Sequence, residues 1–157
     1  MKILTVCLGN ICRSPMAEGV LRHRARERGI TIVTDSAGTG DYHVGEAPDK
    51  RAIAAMRRQG IDISDLRARQ FSVEDYQRFD LIVTMDASNT RNVLRLAPDQ
   101  TLARKVKPIL DYAPHLPHRE VPDPYYGGEE GFDEVYDMLV EACDAVLDEV
   151  EGPAYRR

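Results

Sequence analysis

The sequence predicts an α/β fold of three layers, in which a central four-stranded parallel sheet carries helices on both faces. Strand-like apolar runs alternate with helical patterns from one end of the 157-residue chain to the other, as they do in proteins with parallel sheets. The segment Leu81–Met85 is a short apolar run between polar residues, which is typical of a buried central strand. No repeat, linker or low-complexity tract interrupts the sequence, so we expect a single domain over residues 1–157.

The first strand and the first helix flank a short loop near the N-terminus. Residues 3–6 are β-prone, and the loop extends from Cys7 to Arg13. Ser14 is predicted to be the N-cap of a helix from Pro15 to Arg28, because hydroxyl residues favour that position and proline loses nothing in the first turn. Apolar residues at three- and four-residue spacing give this helix one buried face.

The other elements follow from the same kinds of signal. A loop of small residues is predicted over 35–40, and Asp86 is predicted to cap a helix. The proline-rich segment 108–124 is long enough to suggest a functional loop, and the tail from Gly152 is expected to fray. The remaining predicted strands are 31–34, 81–85 and 106–110. The remaining predicted helices are 48–59, 86–96 and 132–150, together with a short helix that starts at 72–75.

The composition limits the class of protein. The net charge of −5 argues against a general nucleic-acid binder, which needs a basic face. No apolar run is long enough to cross a membrane and no signal peptide is recognisable, and three cysteines are too few for a disulfide framework. We therefore expect a cytoplasmic protein that binds neither nucleic acid nor a membrane, and in which any anion site is a local cluster of donors.

The Cys7 loop, defined as residues 7–13, has the features of an anion site that contains a reactive thiol. Cys7 ends a strand, and the helix that follows directs its free N–H groups and its positive end toward the loop. Five residues separate Cys7 from Arg13, and Gly9 and Asn10 tolerate the positive φ values that a tight curl requires. The Arg13 guanidinium matches two oxygens of a tetrahedral anion. The same donors would stabilise the Cys7 thiolate, and the Ser14 hydroxyl is placed to hydrogen-bond the sulfur when it leaves.

Other interpretations of this loop fit less well. A nucleotide-binding loop would need Gly-Lys followed by Ser or Thr, and no such sequence follows Gly9. A Cys7–Cys12 redox pair lacks the Cys-x-x-Cys spacing of thioredoxin-like proteins, and no cluster of His, Cys and Asp indicates a metal. Cys143 lies on the apolar face of the last predicted helix, as a core residue would. Surface positions are expected for three loop histidines, namely His43, His115 and His118.

Motifs along nearly the whole chain point to one family. They are C-L-G-N-I-C-R-S-P at 7–15, D-S-A-G-T at 35–39, Tyr42 with P-D at 48–49, A-R-Q at 68–70, M-D-x-S-N at 85–89 and D-P-Y-Y-G at 123–127. In order and spacing, this set resembles the low-molecular-weight protein tyrosine phosphatases. The resemblance implies a flavodoxin-like fold and cofactor-free hydrolysis of phosphotyrosine in protein substrates, with inorganic phosphate as product. The expected oligomeric state is a monomer or a weak dimer, and the sequence leaves open which of the two.

The resemblance assigns roles to individual residues. Cys7 would attack phosphorus and form a phosphocysteine, and Asp123 would protonate the leaving phenolate and then activate water, since one carboxylate can act first as acid and then as base. Arg13 would clamp the phosphate, and Asn10 would pair with Ser36 to fix the loop. The loop residues that contact the substrate would be Leu8, Gly9, Asn10, Ile11, Cys12 and Ser14. A cleft for the aryl group would be walled by Tyr42, Tyr125 and Tyr126, which otherwise are ordinary partly buried aromatics.

Two residues depart from the pattern of some family members. Leu66 stands where some relatives carry a histidine linked to the loop network, so that support is absent here or built differently. Ile11 stands where members specialised for phosphoarginine have threonine, and this aliphatic residue favours phosphotyrosine.

Two rival functions and one regulatory property remain open from the sequence. Arsenate reductases share the Cys-x5-Arg loop, but they need further cysteines in a segment that here corresponds to 79–92, which has none. A phosphotyrosine-binding module would not need to retain both Cys7 and Asp123. Cys12 is expected to trap oxidised Cys7 as a disulfide.

Overall fold

The computed structural model describes residues 1–152, so the tail that is predicted to fray lies outside the described part apart from Gly152. Its elements follow one another in a strand–helix alternation that includes one 3₁₀-helix. In chain order they are β1 (Lys2–Cys7), α1 (Arg13–Glu27), β2 (Val33–Gly38), α2 (Lys50–Arg58), α3 (Asp75–Arg78), β3 (Leu81–Thr84), α4 (Ala87–Arg95), α5 (Gln100–Ala103), β4 (Val106–Pro108), the 3₁₀-helix (Ile109–Tyr112) and α6 (Glu129–Val150).

The four strands form one parallel sheet in the order β2-β1-β3-β4. The central strand β1 pairs with β2 up to the register Cys7–Gly38 and with β3 up to Val6–Thr84. The carboxyl ends of these three strands therefore lie at one edge of the sheet, where ligands bind in open parallel sheets. This arrangement confirms the predicted four-stranded α/β fold.

Two hydrophobic cores lie on opposite faces of the sheet. Side chains of a strand alternate between faces, and in β1 Ile3 and Cys7 belong to the core formed with α1, α2 and α6. Leu4 and Val6 point the other way, into a smaller core that includes Tyr76 of α3 and Val93 of α4. The helices are thus divided between the two faces, as the three-layer prediction requires.

The start of α1 differs from the prediction. The helix begins at Arg13 with Cys12 as its N-cap, and no side chain caps it, so the assignment of Ser14 as the N-cap is wrong. The physical reason is that the Cys7 loop curls into helical geometry before Ser14 is reached, and the Ser14 hydroxyl is bound by Asn10 and Cys7 instead. Pro15 still lies in the first turn, where its missing N–H removes no helical hydrogen bond.

Strand β2 and the segment after β3 also differ from the prediction. The small residues of 35–38 were predicted as a loop, but they continue β2 because β1 pairs with them up to Gly38. A Cβ atom on Gly38 would lie 2.6 Å from the backbone oxygen of Leu8, so only glycine allows this close approach. Strand β4 is shorter than predicted and ends at Pro108, and the short helix α5 was not predicted.

The other helices lie close to their predicted positions. Asp86 caps α4 through a reciprocal pair with Asn89, which confirms its prediction as an N-cap. Asp49 caps α2, one residue after the Pro48 at which the sequence places the helix start. Within residues 1–152, no helix has both the length and the apolar character needed to span a bilayer.

Candidate active site

The Cys7 loop surrounds the Cys7 sulfur with hydrogen-bond donors. Cys7 is 2% exposed, the Asn10 backbone N–H donates to its Sγ at 3.3 Å, and the Ser14 hydroxyl lies 3.0 Å from the same atom. Asn10 has φ of 59°, the left-handed conformation predicted for it. Gly9 does not have a positive φ, so of the two residues that tolerate it Asn10 supplies the conformation that the curl requires. What constrains Gly9 is the His43 ring, which would lie 3.1 Å from a Cβ atom there.

A buried network of polar side chains fixes the shape of the loop. The Asn10 amide Nδ2 donates both of its hydrogens, to Ser14 Oγ at 2.8 Å and to Ser36 Oγ at 2.9 Å. The Ser14 hydroxyl accepts from Asn10, and the acceptors near its own hydrogen are the Cys7 sulfur at 3.0 Å and the Ala37 carbonyl at 3.4 Å. The structure thus connects β2, the Cys7 loop and the first turn of α1 through three side chains.

Arg69 supplies support on the outer side of this network. Its backbone N–H donates to Asn10 Oδ1 at 3.0 Å, and its guanidinium forms a two-pronged contact with the fully buried carboxylate of Asp75 at 3.0 Å for each oxygen. A third contact at 3.1 Å joins Arg69 Nε to Asp35. Leu66 packs against the hydrophobic core. The support for Asn10 is therefore built differently from a histidine at position 66. Arg69 lies in the A-R-Q motif of the sequence, but no role was predicted for it.

Glu18 is a buried carboxyl group beside the same network. It is 4% exposed and forms a hydrogen bond with the Ser36 side chain, whose hydroxyl hydrogen is free because Ser36 Oγ accepts from Asn10. Burial raises the pKa of Glu18, and the nearby charges of Asp35 and Asp65 raise it further, whereas the Ser36 hydrogen bond and Arg22 lower it. The sequence offered no signal for this residue, because glutamate is common on exposed helix faces.

Glu18→Gln should change the pH dependence of stability. A raised folded-state pKa means that stability is fully present below the unfolded-state value, about 4.3 for glutamate, and is lost as pH rises through the folded-state value. Glutamine accepts the Ser36 hydrogen bond but does not titrate. We expect the free energy of unfolding of Glu18→Gln, relative to wild type, to increase from pH 4 to pH 8 in urea titrations. The exposed Glu149 provides the control for loss of a carboxyl group. An equal trend in Glu18→Gln and Glu149→Gln would contradict the assignment.

Arg13 is anchored by Asp86, which follows the carboxyl end of β3. The residue is 3% exposed, and its Nη1 donates to Asp86 Oδ2 at 2.7 Å and to the Val121 carbonyl at 3.0 Å. Its Nη2 lies 3.7 Å from Asp123 Oδ2. The guanidinium is held on one edge by Asp86 and faces Asp123 with the other, so its position depends on two other segments of the chain, the one that follows β3 and the one that contains Val121 and Asp123.

Asp123 lies in the Asp123 loop, defined as residues 113–128, which contains no helix or strand. Its side chain is 36% exposed, and its Oδ1 accepts a hydrogen bond from the Tyr125 backbone N–H at 3.0 Å. The other oxygen, Oδ2, is the one that faces Arg13. The structure therefore brings Asp123 to the Cys7 loop from a distant part of the sequence.

An open cleft of about 350 Å³ lies between these two loops. Tyr126 is 91% exposed, and its ring packs edge-to-face on Tyr125 at 5.0 Å. His43 was predicted to be a surface residue, but its half-buried ring lies 6.2 Å from that of Tyr125 and lines the cleft. The lining residues are Leu8, Gly9, Ile11, Cys12, Tyr42, His43, Asp123, Tyr125 and Tyr126. The three predicted tyrosines thus lie at the cleft, whereas Cys7 and Arg13 are buried and do not line it.

The other two cysteines occupy different environments. Cys143 is fully buried in α6, with its Sγ 3.8 Å from the Ala17 carbonyl, which confirms it as a core residue. Cys12 is also buried, and burial together with the charge of Asp49 raises the pKa of its thiol. Cys7, Cys12 and Cys143 are all free thiols, so a Cys7–Cys12 disulfide remains a prediction. Among residues 1–152, no group of three or more His, Cys, Asp or Glu side chains could hold a metal ion.

The fold and the site together define a class of protein. A cysteine at the end of a central parallel strand, an arginine at the start of the next helix and a carboxylate facing that arginine are the parts needed for cysteine-dependent phosphoryl transfer. Comparison with known proteins specifies the family. The family profile described as low molecular weight phosphotyrosine protein phosphatase matches residues 2–153, and the chain belongs to this family.

Individual relatives cover nearly the full length of the chain. A putative low molecular weight protein-tyrosine-phosphatase of Synechocystis is 49% identical over 149 residues, which is 94% of each chain. The crystal structure of a protein tyrosine phosphatase from Entamoeba histolytica has a TM-score of 0.92 at 37% identity and covers 96% of this chain and 97% of its own. An arginine phosphatase of Drosophila has a TM-score of 0.91 at 30% identity, with coverage of 98% and 99%. These comparisons confirm the predicted family, the flavodoxin-like fold and the enzyme class.

Proposed function

We propose that this protein hydrolyses phosphotyrosine through a phosphocysteine intermediate, with Cys7 as nucleophile, Arg13 as phosphate clamp and Asp123 as general acid and base. The observation that carries the proposal is the environment of the Cys7 sulfur. The Asn10 N–H and the Ser14 hydroxyl lie within 3.3 Å of it, and these donors stabilise a thiolate rather than a thiol.

In the first step, the Cys7 thiolate attacks phosphorus in line with the ester oxygen. The S–P bond forms while the P–O bond to tyrosine breaks, and Asp123 donates its proton to the leaving phenolate. Backbone N–H groups of the Cys7 loop and the Arg13 guanidinium hold the three remaining phosphate oxygens, whose charge they stabilise in the transition state. Asp123 thereby becomes a carboxylate at the position where water must next be activated.

In the second step, a water molecule replaces the departed tyrosine. Asp123 removes a proton from this water as its oxygen attacks phosphorus, and the S–P bond breaks to release inorganic phosphate. The Cys7 sulfur leaves as a thiolate, and the Ser14 hydroxyl at 3.0 Å donates to it as its charge develops. The proton removed from water returns Asp123 to the form that begins the next cycle, so no cofactor is required.

The cleft favours an aromatic phosphoester. Its tyrosines offer ring faces to a phenyl group, and Ile11 contributes an aliphatic surface that is 8% exposed. Fold similarity does not select the substrate, since the Drosophila relative is an arginine phosphatase. The choice depends on the side chain at position 11, where isoleucine has no hydroxyl to bind a guanidino nitrogen.

The physiological setting follows from the same chemistry. We propose protein substrates that carry phosphotyrosine, because the cleft is open and its rim exposes Tyr42 and Tyr126. A cytoplasmic location is consistent with three free thiols. We further propose that the protein acts as a monomer or weak dimer, since all of the named catalytic groups come from one chain.

A substrate panel tests the proposed function. We expect the wild-type protein to hydrolyse a phosphotyrosine peptide, and to act at least about tenfold less efficiently on phosphoserine and phosphoarginine, because a pocket discriminates by about this factor for small changes in shape. Ile11→Thr should shift the ratio of kcat/KM toward phosphoarginine by about tenfold. Phosphopeptide binding without turnover would instead indicate a binding module, and arsenate reduction would indicate a reductase.

A further inference from the structure

We propose that Arg51 is a positioning residue that holds the Asp123 loop in a fixed position relative to the Cys7 loop. The inference rests on the proposed function, since it concerns how the general acid is presented. The Asp123 loop needs such a restraint because residues 113–128 form no helix or strand of their own. A loop of that length would otherwise sample many conformations in which Asp123 is too far from the leaving oxygen.

Arg51 donates hydrogen bonds to two backbone carbonyls of the Asp123 loop. Its Nη2 donates to the Tyr125 carbonyl at 2.9 Å, and its Nη1 donates to the Gly127 carbonyl at 3.0 Å. The two accepting groups lie two residues apart, so the planar guanidinium fork spans the turn that follows Asp123. A lysine could not reproduce this geometry, because its ammonium is a single point of charge.

The other side of the guanidinium is attached to the start of α2. Arg51 Nε and Nη2 donate to the two oxygens of Asp49 at 3.1 and 3.0 Å, and this interaction lowers the pKa of Asp49, which keeps it charged. The Asp49 backbone N–H in turn donates to the Ile11 carbonyl of the Cys7 loop at 2.8 Å. Asp49 and Arg51 therefore form a continuous connection from the Cys7 loop to the Asp123 loop.

Aromatic contacts fix the plane of the Arg51 side chain. The guanidinium carbon lies 4.7 Å from the ring centre of Phe132 in α6 and 5.7 Å from that of Tyr125. Both distances are within the range of cation–π attraction. Because Tyr125 also lines the cleft, the same arginine orients one aromatic wall of the cleft.

The connection reaches the reacting group through Tyr125. Arg51 binds the Tyr125 carbonyl, and the Tyr125 backbone N–H donates to Asp123 Oδ1 at 3.0 Å. That hydrogen bond leaves Asp123 Oδ2 directed toward Arg13, at 3.7 Å from Nη2. Loss of Arg51 should therefore displace the proton donor while leaving the sulfur, the loop amides and Arg13 in place.

The leaving group of the substrate distinguishes a positioning role from a general loss of structure. Phenyl phosphate needs protonation of its leaving oxygen, whereas 4-nitrophenyl phosphate needs it much less. For Arg51→Met, and also for Arg51→Lys, we expect kcat/KM to fall about tenfold with phenyl phosphate but less than about threefold with 4-nitrophenyl phosphate. Inhibition by inorganic phosphate should change less than about twofold, because the Cys7 loop retains its own contacts.

A matched control lies on the same helix. Arg58 of α2 pairs with Asp133 of α6 at 2.7 Å, so Arg58→Met removes an arginine contact between the same two helices without touching the Asp123 loop. We expect its kinetics with both substrates to equal those of wild type. Thermal unfolding of all variants, followed by circular dichroism, establishes that the comparison is made between folded proteins.

A double-mutant cycle decides the inference. In an Asp123→Asn background, Arg51→Met should no longer cause a larger loss with phenyl phosphate than with 4-nitrophenyl phosphate, because no proton donor is left to position. A larger loss with phenyl phosphate that persists in that background, or equal losses with both substrates for Arg51→Met alone, would overturn the role of Arg51. Absence of any leaving-group dependence in Asp123→Asn itself would instead count against the proposed general acid, so the two failures are distinguishable.

Discussion

Cys7→Ser should abolish turnover of aryl phosphates, with kcat reduced by at least about 10⁴-fold, the scale of loss seen when an enzyme loses its nucleophile. The substitution replaces one sulfur by oxygen and leaves the donors around it in place, so the loss reports the nucleophile itself. A serine hydroxyl at this position has no adjacent base to remove its proton, because its neighbours are the Asn10 N–H and the Ser14 hydroxyl. The same donors that stabilise a thiolate thus give no help to a neutral alcohol.

Phosphate binding separates loss of chemistry from loss of structure. Cys7→Ser should still bind inorganic phosphate, measured by calorimetry, because Arg13 and the loop amides remain. Cys143→Ala is the matched control: it removes a thiol that is fully buried in the core, and its kcat should stay close to that of wild type. Turnover by Cys7→Ser within about a hundredfold of wild type would show that another group attacks phosphorus.

The Cys7 loop could be predicted from the sequence because its parts are contiguous. The end of the strand, the curl and the start of the helix fall within Cys7 to Pro15, and their local preferences predict this order of elements, although not the residue at which the helix begins. The parallel sheet was predictable for a similar reason, since each strand and helix carries its own periodicity.

The errors arose where hydrogen bonding to another residue overrides the local preference of a segment. Ser14 has the local preference of an N-cap, but Asn10 and Cys7 bind its hydroxyl, and the helix starts earlier. The small residues of 35–38 have the composition of a loop, but β1 pairs with them as a strand. Local propensity was overridden in the first case by hydrogen bonds within the Cys7 loop and in the second by pairing with a strand about thirty residues away.

The supporting residues of the site were missed for a related reason. Arg51 contacts carbonyls 74 and 76 positions away, and an arginine in an amphipathic helix is indistinguishable in sequence from a solvated one. Glu18 likewise looks like an ordinary charged residue until the fold buries it. Arg69 lies in the A-R-Q motif, but its contacts with Asn10 and Asp75 appear only in the folded chain. Spacing alone could have shown only that Asp49 caps a helix that begins near Arg51.

Asp123→Asn should lower kcat/KM for phenyl phosphate by about 10² to 10⁴-fold, the range contributed by general acid catalysis. Asparagine keeps the size of the side chain and can accept the Tyr125 N–H through its amide oxygen, so the Asp123 loop should retain its position. What it lacks is a proton to give to the leaving phenolate. With 4-nitrophenyl phosphate, whose leaving group needs little protonation, we expect the loss in kcat/KM to be less than about tenfold.

The pH dependence of kcat/KM should also reveal the role of Asp123. Wild-type kcat/KM requires the Cys7 thiolate together with a protonated Asp123, so it should be bell-shaped with an alkaline decline. The alkaline decline should disappear in Asp123→Asn, because no proton remains to be lost. Asp41 is an exposed acid next to Tyr42 in the rim of the cleft, and Asp41→Asn serves as a control for charge because it should keep both limbs of the profile.

Hydrolysis of the phosphocysteine intermediate provides a second test of the role of Asp123. Asp123 is also expected to activate the water that attacks phosphocysteine, so Asp123→Asn should form this intermediate from 4-nitrophenyl phosphate faster than it hydrolyses it. Rapid mixing should then show a burst of nitrophenolate equivalent to one molecule per active site, followed by slow turnover, and mass spectrometry should detect phosphate on Cys7. If the burst is followed by steady-state turnover as fast as that of wild type, Asp123 is not the base of the second step. If the phosphate is found on any residue other than Cys7, the intermediate is not phosphocysteine.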